Sequence, residues 1–85
     1  MMKYIFRNET SASMTVIIEP WAEEFDVPPT SVLSMEISAP EFGLLETTMD
    51  DKYFAMWLWP GSRVVAVSVD GKDQMRSSLS IMPPD

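Results

Sequence analysis

The side chains best suited to recognising another molecule in this chain are aromatic and acidic. In the run Tyr53-Phe54-Ala55-Met56-Trp57-Leu58-Trp59, the residues Tyr53, Trp57 and Trp59 fall at even spacing, so an extended backbone puts them on one face. An outward strip of such rings can stack on a sugar or on a partner's side chain. The carboxylates form three groups: Glu19, Glu23, Glu24 and Asp26; Asp50 and Asp51; Asp70 and Asp73. Two groups meeting at one end of a domain could hold Ca²⁺, but no calcium-loop spacing is present, and solvated turn residues are the simpler expectation. A glycosidase-like carboxylate pair needs a cleft and substrate-holding walls that a chain this short scarcely supplies.

The chain has no cysteine and no histidine. That excludes disulfides, thiolate chemistry, zinc and copper sites of the ordinary kinds, and the usual general base near neutral pH. The expectation is therefore no catalytic residue, no cofactor and no resident metal. The candidate binding surface comprises Tyr53, Trp57 and Trp59 together with Trp21, Glu23 and Glu24. Set against it is the expectation that at least one tryptophan is ordinary core, since small β-domains draw much of their buried area from large aromatics. Methionines such as Met14, Met35 and Met56 likewise read as gap-fillers of a core rather than as a sticky groove. Asn8-Glu9-Thr10 matches the N-glycosylation pattern, but without a secretory leader it reads as a chance match.

Period-two alternation dictates the elements that must position these side chains. Leu33, Met35, Ile37 and Ala39 point one way and Ser34, Glu36 and Ser38 the other, and Met14, Val16 and Ile18 form a second inner face on which Ile17 does not lie. Further strands are expected at Lys3 to Arg7, Leu44 to Thr48, Lys52 to Trp59, Arg63 to Val69 and Met75 to Ile81. Turn chemistry separates them at Pro28-Pro29, Pro40, Asp50-Asp51, Pro60-Gly61 and Asp70-Gly71. The segment from Pro20 to Thr30 is too long for a hairpin loop and is expected to cross between sheets. Trp21, Phe25 and Val27 would then plug the end of the core, or a single helical turn would start at Pro20.

Tyr53 to Val69 reads as two strands and a turn, and the turn at Pro60-Gly61 decides which face is buried. With an even number of turn residues, Phe54, Met56 and Leu58 join Val65 and Val67 on the richer face and the tryptophans point outward. With three, the tryptophans join the core.

Phe6-Arg7-Asn8-Glu9-Thr10, then Met14 to Pro20, then Val27-Pro28-Pro29 and an alternating strand resemble the opening half of immunoglobulin-like and cupredoxin-like sandwich domains. The resemblance covers about the first 40 residues and implies architecture without activity. The cupredoxin copper ligands and the immunoglobulin disulfide have no counterpart here.

Eighty-five residues make one domain, 1–85, with a single core. The expected fold is all-β: a small antiparallel β-sandwich, immunoglobulin-like, of six or seven strands, with a small β-barrel as runner-up. Thirteen acidic and six basic residues give a net charge of −7, which repels phosphate backbones and anionic lipid. No nucleic acid and no membrane partner is expected, and the N-terminal apolar run is too short for a signal peptide, making the cytoplasm the default compartment. Function is expected to be that of a small non-catalytic binding or protein-interaction module. The alternatives are a structural homo-oligomer assembled through an apolar face or edge strand, and a carbohydrate-binding or carboxylate-based hydrolytic domain. An acidic, immunity-like protein neutralising a basic partner is a narrower form of the first reading.

Overall fold

A computed structural model describes residues Met1–Ile81 of the chain. The strands are β1 (Met2–Arg7), β2 (Met14–Glu19), β3 (Glu23–Val27), β4 (Val32–Ser38), β5 (Glu46–Met49), β6 (Tyr53–Trp57), β7 (Arg63–Val69) and the short β8 (Lys72–Asp73), followed by one 3₁₀ turn at Ser77–Ser80. They form two four-stranded sheets, ordered β1-β4-β7-β8 and β3-β2-β6-β5, which pack face to face as a small β-sandwich and are not closed into a barrel. All strand pairs are antiparallel except β2 with β6, which run parallel.

The alternation read from the sequence sets the core. Met14, Val16 and Ile18 of β2 and Leu33, Met35 and Ile37 of β4 are all buried, with Thr15, Ile17 and Glu19 turned outward. Met56, Leu58, Val64, Val67, Phe25, Val27 and Leu79 join them in the core. Phe6 and Phe54, one from each sheet, stack with ring centroids 4.9 Å apart and tie the layers together at its edge.

Four expectations are corrected. The segment after Pro20 does not cross between sheets and forms no helix. The chain turns at Pro20–Ala22, with Ala22 in the left-handed region at φ 61°, and returns as β3 alongside β2. Phe25 and Val27 are buried as strand residues of that hairpin, while Trp21 lies half-buried at the turn. Met75 to Ile81 is not a strand. Ser80 Oγ donates locally to Ser77 O at 2.8 Å, and the chain curls into a 3₁₀ turn that buries only Leu79. Third, β6 and β7 are not a hairpin: they belong to opposite sheets, and Leu58 to Ser62 carries the chain between them, so neither turn register applies. Fourth, the parallel β2·β6 pair and the short β8 depart from a wholly antiparallel sandwich of six or seven strands.

At one end of the sandwich Asn8 joins the two sheets. Its side chain is 1% exposed. Its Nδ2 donates to Ala12 O and Val27 O at 2.9 Å and to Pro28 O at 3.2 Å, while Oδ1 accepts from the Thr10 N–H and hydroxyl at 3.0 and 2.7 Å. The amide of the Asn-Glu-Thr pattern is therefore committed to backbone carbonyls rather than presented to solvent.

Candidate functional site

Strand register builds the outer face of the β3-β2-β6-β5 sheet row by row. Thr15 sits between Asp26 and Tyr53; Ile17 lies between Glu24 and Ala55, with Thr48 beyond; Trp57 lies between Glu19 and Glu46. Glu19 and Glu46 thus occupy the register positions that flank Trp57 on its two neighbouring strands. Trp57 is 42% exposed and Tyr53 36%. Ala55, between them on the same strand, is buried beneath its neighbours and forms the floor.

Charge is divided between the two outer faces. Glu19, Glu24, Asp26 and Glu46 occupy outward positions of this sheet, and no Lys or Arg does. The outward positions of the opposite sheet carry Lys3, Arg7 and Arg63 beside Glu36 and Asp73. An exposed indole flanked by two carboxylates and lacking a cation of its own is suited to holding one. A guanidinium or ammonium over the ring gains the cation–π attraction and has acceptors on both sides.

The remaining candidate residues are brought elsewhere or engaged in the fold. Trp59 leaves the strip because β6 ends at Trp57. Its indole covers Gly43, where a Cβ would fall inside the ring, and its Nε1–H donates to Pro40 O at 3.0 Å. Trp21 donates from Nε1 to Ile81 O at 3.3 Å. Glu23 pairs with Arg76 at 2.8 Å and accepts the Ser78 hydroxyl at 2.8 Å. Those two bonds, the Arg76 one foremost, hold the Glu23 carboxyl below its ordinary range. Arg76 also lies 4.3 Å over the Phe25 ring and donates to Glu24 O, which caps the outer edge of β3 against pairing with another strand. Only Glu24 stays with Tyr53 and Trp57 on the open face. Ile17, Glu19 and Glu46, which complete it, were missed: an outward Ile17 was legible as the one apolar break in the alternation, whereas the placement of Glu19 and Glu46 follows from non-local pairing.

The other carboxylates cap turns. Asp50 Oδ1 accepts from the N–H groups of Lys52 and Tyr53 at 2.7 and 2.9 Å, Asp73 Oδ1 from Met75 at 2.9 Å, and Asp70 Oδ1 from Val32 at 2.9 Å. The Asp70 carboxyl is held below its ordinary range by hydrogen bonds from Ser31 first and Val32 second. Among the described residues no three acidic side chains gather closely enough to hold a metal ion. Four shallow depressions of about 220 to 280 Å³ mark the surface, and none of the four is lined by Tyr53 or Trp57. Tyr53, Ile17 and Trp57 lie on the outward surface of a four-stranded sheet. No helix among the described residues is long and apolar enough to cross a membrane.

No protein-family model matches this chain, and neither a curated protein nor a solved structure does.

Proposed function

We propose that the protein is a small non-catalytic interaction module that captures a basic protein through the outer face of the β3-β2-β6-β5 sheet. The observation that carries this reading is the row Glu19–Trp57–Glu46: an exposed indole between two carboxylates, on a face with no cation of its own. A partner arginine or lysine stacks on Trp57 between Glu19 and Glu46, while Tyr53 and Ile17 supply apolar contact and Glu24 and Asp26 form the acidic rim. Aromatic anchors surrounded by polar groups are how protein interfaces concentrate their affinity. An outward sheet surface favours a macromolecule over a sugar or a hydrolysable small substrate, which a concave site would hold.

The likeness of the opening half to immunoglobulin-like domains fits this use of a sandwich as a scaffold for surfaces, the parallel β2·β6 pair being its departure from an all-antiparallel arrangement. The acidic balance disfavours nucleic acid and anionic lipid as partners, and the cytoplasm is the compartment this reading expects.

The test is binding of a cationic peptide that alternates arginine with leucine. Binding is expected to weaken steeply with added salt and to be lost in Trp57→Ala and in the double variant Glu19→Gln, Glu46→Gln. Because Trp57 faces outward but is only 42% exposed, Trp57→Ala is expected to lower stability by about 1–2 kcal/mol and to leave the protein folded. Equal binding by wild type and both variants would contradict the proposal.

A further inference from the structure

Phe42 and Leu44, two positions apart in one loop, are with Met1 the most exposed large apolar side chains among the described residues. Phe42 is 88% and Leu44 84% exposed, in the connection that carries the chain from β4 in one sheet to β5 in the other. That loop is not held loosely. Trp59 covers Gly43 so closely that no Cβ fits there, its Nε1–H bonds Pro40 O at 3.0 Å, and Pro40 in turn packs against Gly61. Clamped on both sides, the loop presents its apolar side chains to solvent at little further cost in ordering.

Immediately beside the loop is a hollow of about 220 Å³ whose lining includes Met1, Met2, Ile37, Ala39, Trp59 and the acidic Glu41. One patch therefore carries an apolar knob, Phe42, and a mainly apolar hollow one residue away in the chain. A patch with both is complementary to a second copy of itself, which is the requirement for a two-fold interface in which residue i of each chain meets residue j of the other. The hollow has room for a benzyl side chain. Phe42 and Leu44, with Met1 and the other hollow walls, offer each copy on the order of several hundred Å² of surface, the size at which an exposed apolar patch is often functional. Joined pairwise, they approach the lower end of the roughly 1,200 Å² total that specific interfaces bury.

We propose that the β4–β5 loop is a homodimerisation site, in which Phe42 of each chain seats in the hollow of its partner formed by Ile37, Ala39, Pro40 and Trp59. This surface is separate from the Trp57 face, and the two respond oppositely to salt. Dimerisation joins two chains of net charge −7 through apolar contact, so screening strengthens it, whereas capture of a basic partner is weakened by salt.

Sedimentation equilibrium of the full chain, from low to several hundred micromolar, tests the proposal. A monomer–dimer equilibrium is expected that tightens with salt, is unaffected by Trp57→Ala and is abolished by Phe42→Asp, with the unfolding midpoint of the dilute protein unchanged. Because the chain has no cysteine, chains carrying Phe42→Cys and chains carrying Ala39→Cys, mixed under mild oxidation, are expected to form a disulfide-linked heterodimer faster than either forms a homodimer. A wild type that stays monomeric throughout, a dimer that survives Phe42→Asp, assembly beyond the dimer, or no preference for the mixed disulfide overturns the proposal.

Discussion

Replacing Asn8 by aspartate keeps the shape of the side chain and exchanges a donor for an acceptor at the junction of the two sheets. In the native protein the Asn8 Nδ2 hydrogens serve the carbonyls of Ala12, Val27 and Pro28, the first two at 2.9 Å. Aspartate leaves those carbonyls without their donor and sets a carboxylate against them. Each buried acceptor that loses its partner costs about 1–3 kcal/mol, and two hydrogens' worth of bonding is lost. The loss at neutral pH is therefore about 3–5 kcal/mol, a large share of the roughly 4–13 kcal/mol expected for a domain of this length. The assay is urea unfolding of wild type and Asn8→Asp across pH.

The pH dependence has a definite sign. Burial and facing carbonyls raise the folded-state pKa of the new carboxyl above its unfolded value of about 3.9. Below that value both states are protonated, the acid can donate one hydrogen bond, and the deficit is smallest. As pH rises towards the folded pKa the unfolded state ionises first, so the deficit grows and then levels off. A variant within about 1 kcal/mol of wild type at neutral pH, or one whose deficit is the same at pH 4 and pH 7, would refute the argument that the amide hydrogens carry this junction.

Ser62 is fully buried and its hydroxyl has no hydrogen-bond partner; Ser62→Ala is expected to be neutral or to stabilise by up to about 1 kcal/mol in the same unfolding assay. Arg76→Ala removes the pair with Glu23, the bond to Glu24 O and the contact over Phe25, and with the Arg76 side chain nearly half exposed the expected loss is about 1–2 kcal/mol. Because the Glu23 pKa is lowered in the folded state, the pair's contribution is present above the unfolded carboxylate value and disappears as pH falls through the folded one. The gap between wild type and Arg76→Ala should therefore narrow in acid to the share carried by Glu24 O and Phe25, as denaturant midpoints measured across pH will show.

The alternation of β2 and β4 was legible because each strand has one apolar face and its flanking turns are marked by proline, glycine or aspartate. β3 carries the same signal, Phe25 and Val27 inward and Glu24 and Asp26 outward. It was obscured by residues of low β-propensity and by a turn at Pro20–Ala22 that lacks the usual hairpin dipeptide. In Met75 to Ile81 the alternation misled, since a serine hydroxyl offers the backbone a local partner and only Leu79 is fully buried, with Met75 packed at the margin of the core. Which sheet receives β6 is a non-local matter: Pro60-Gly61 announces a turn, yet alternation is the same whether the next strand pairs with β6 or packs across from it. For that reason Tyr53 and Trp57 could be named as a candidate surface from sequence, while their acidic neighbours could not. Glu19 and Glu46 lie 27 positions apart in the chain and meet beside Trp57 only through the parallel β2·β6 and antiparallel β5·β6 pairings.

The three indole N–H resonances of the protein supply the most direct measurement of the central claim. Trp21 and Trp59 donate to backbone carbonyls, whereas Trp57 stands exposed between Glu19 and Glu46. Titrating the full chain with the arginine-leucine peptide should shift the Trp57 signal at low salt and restore it when salt is added, with Trp21 and Trp59 unmoved. A titration in which Trp57 stays in place, or in which all three signals move together, would contradict the assignment of this face as the binding surface.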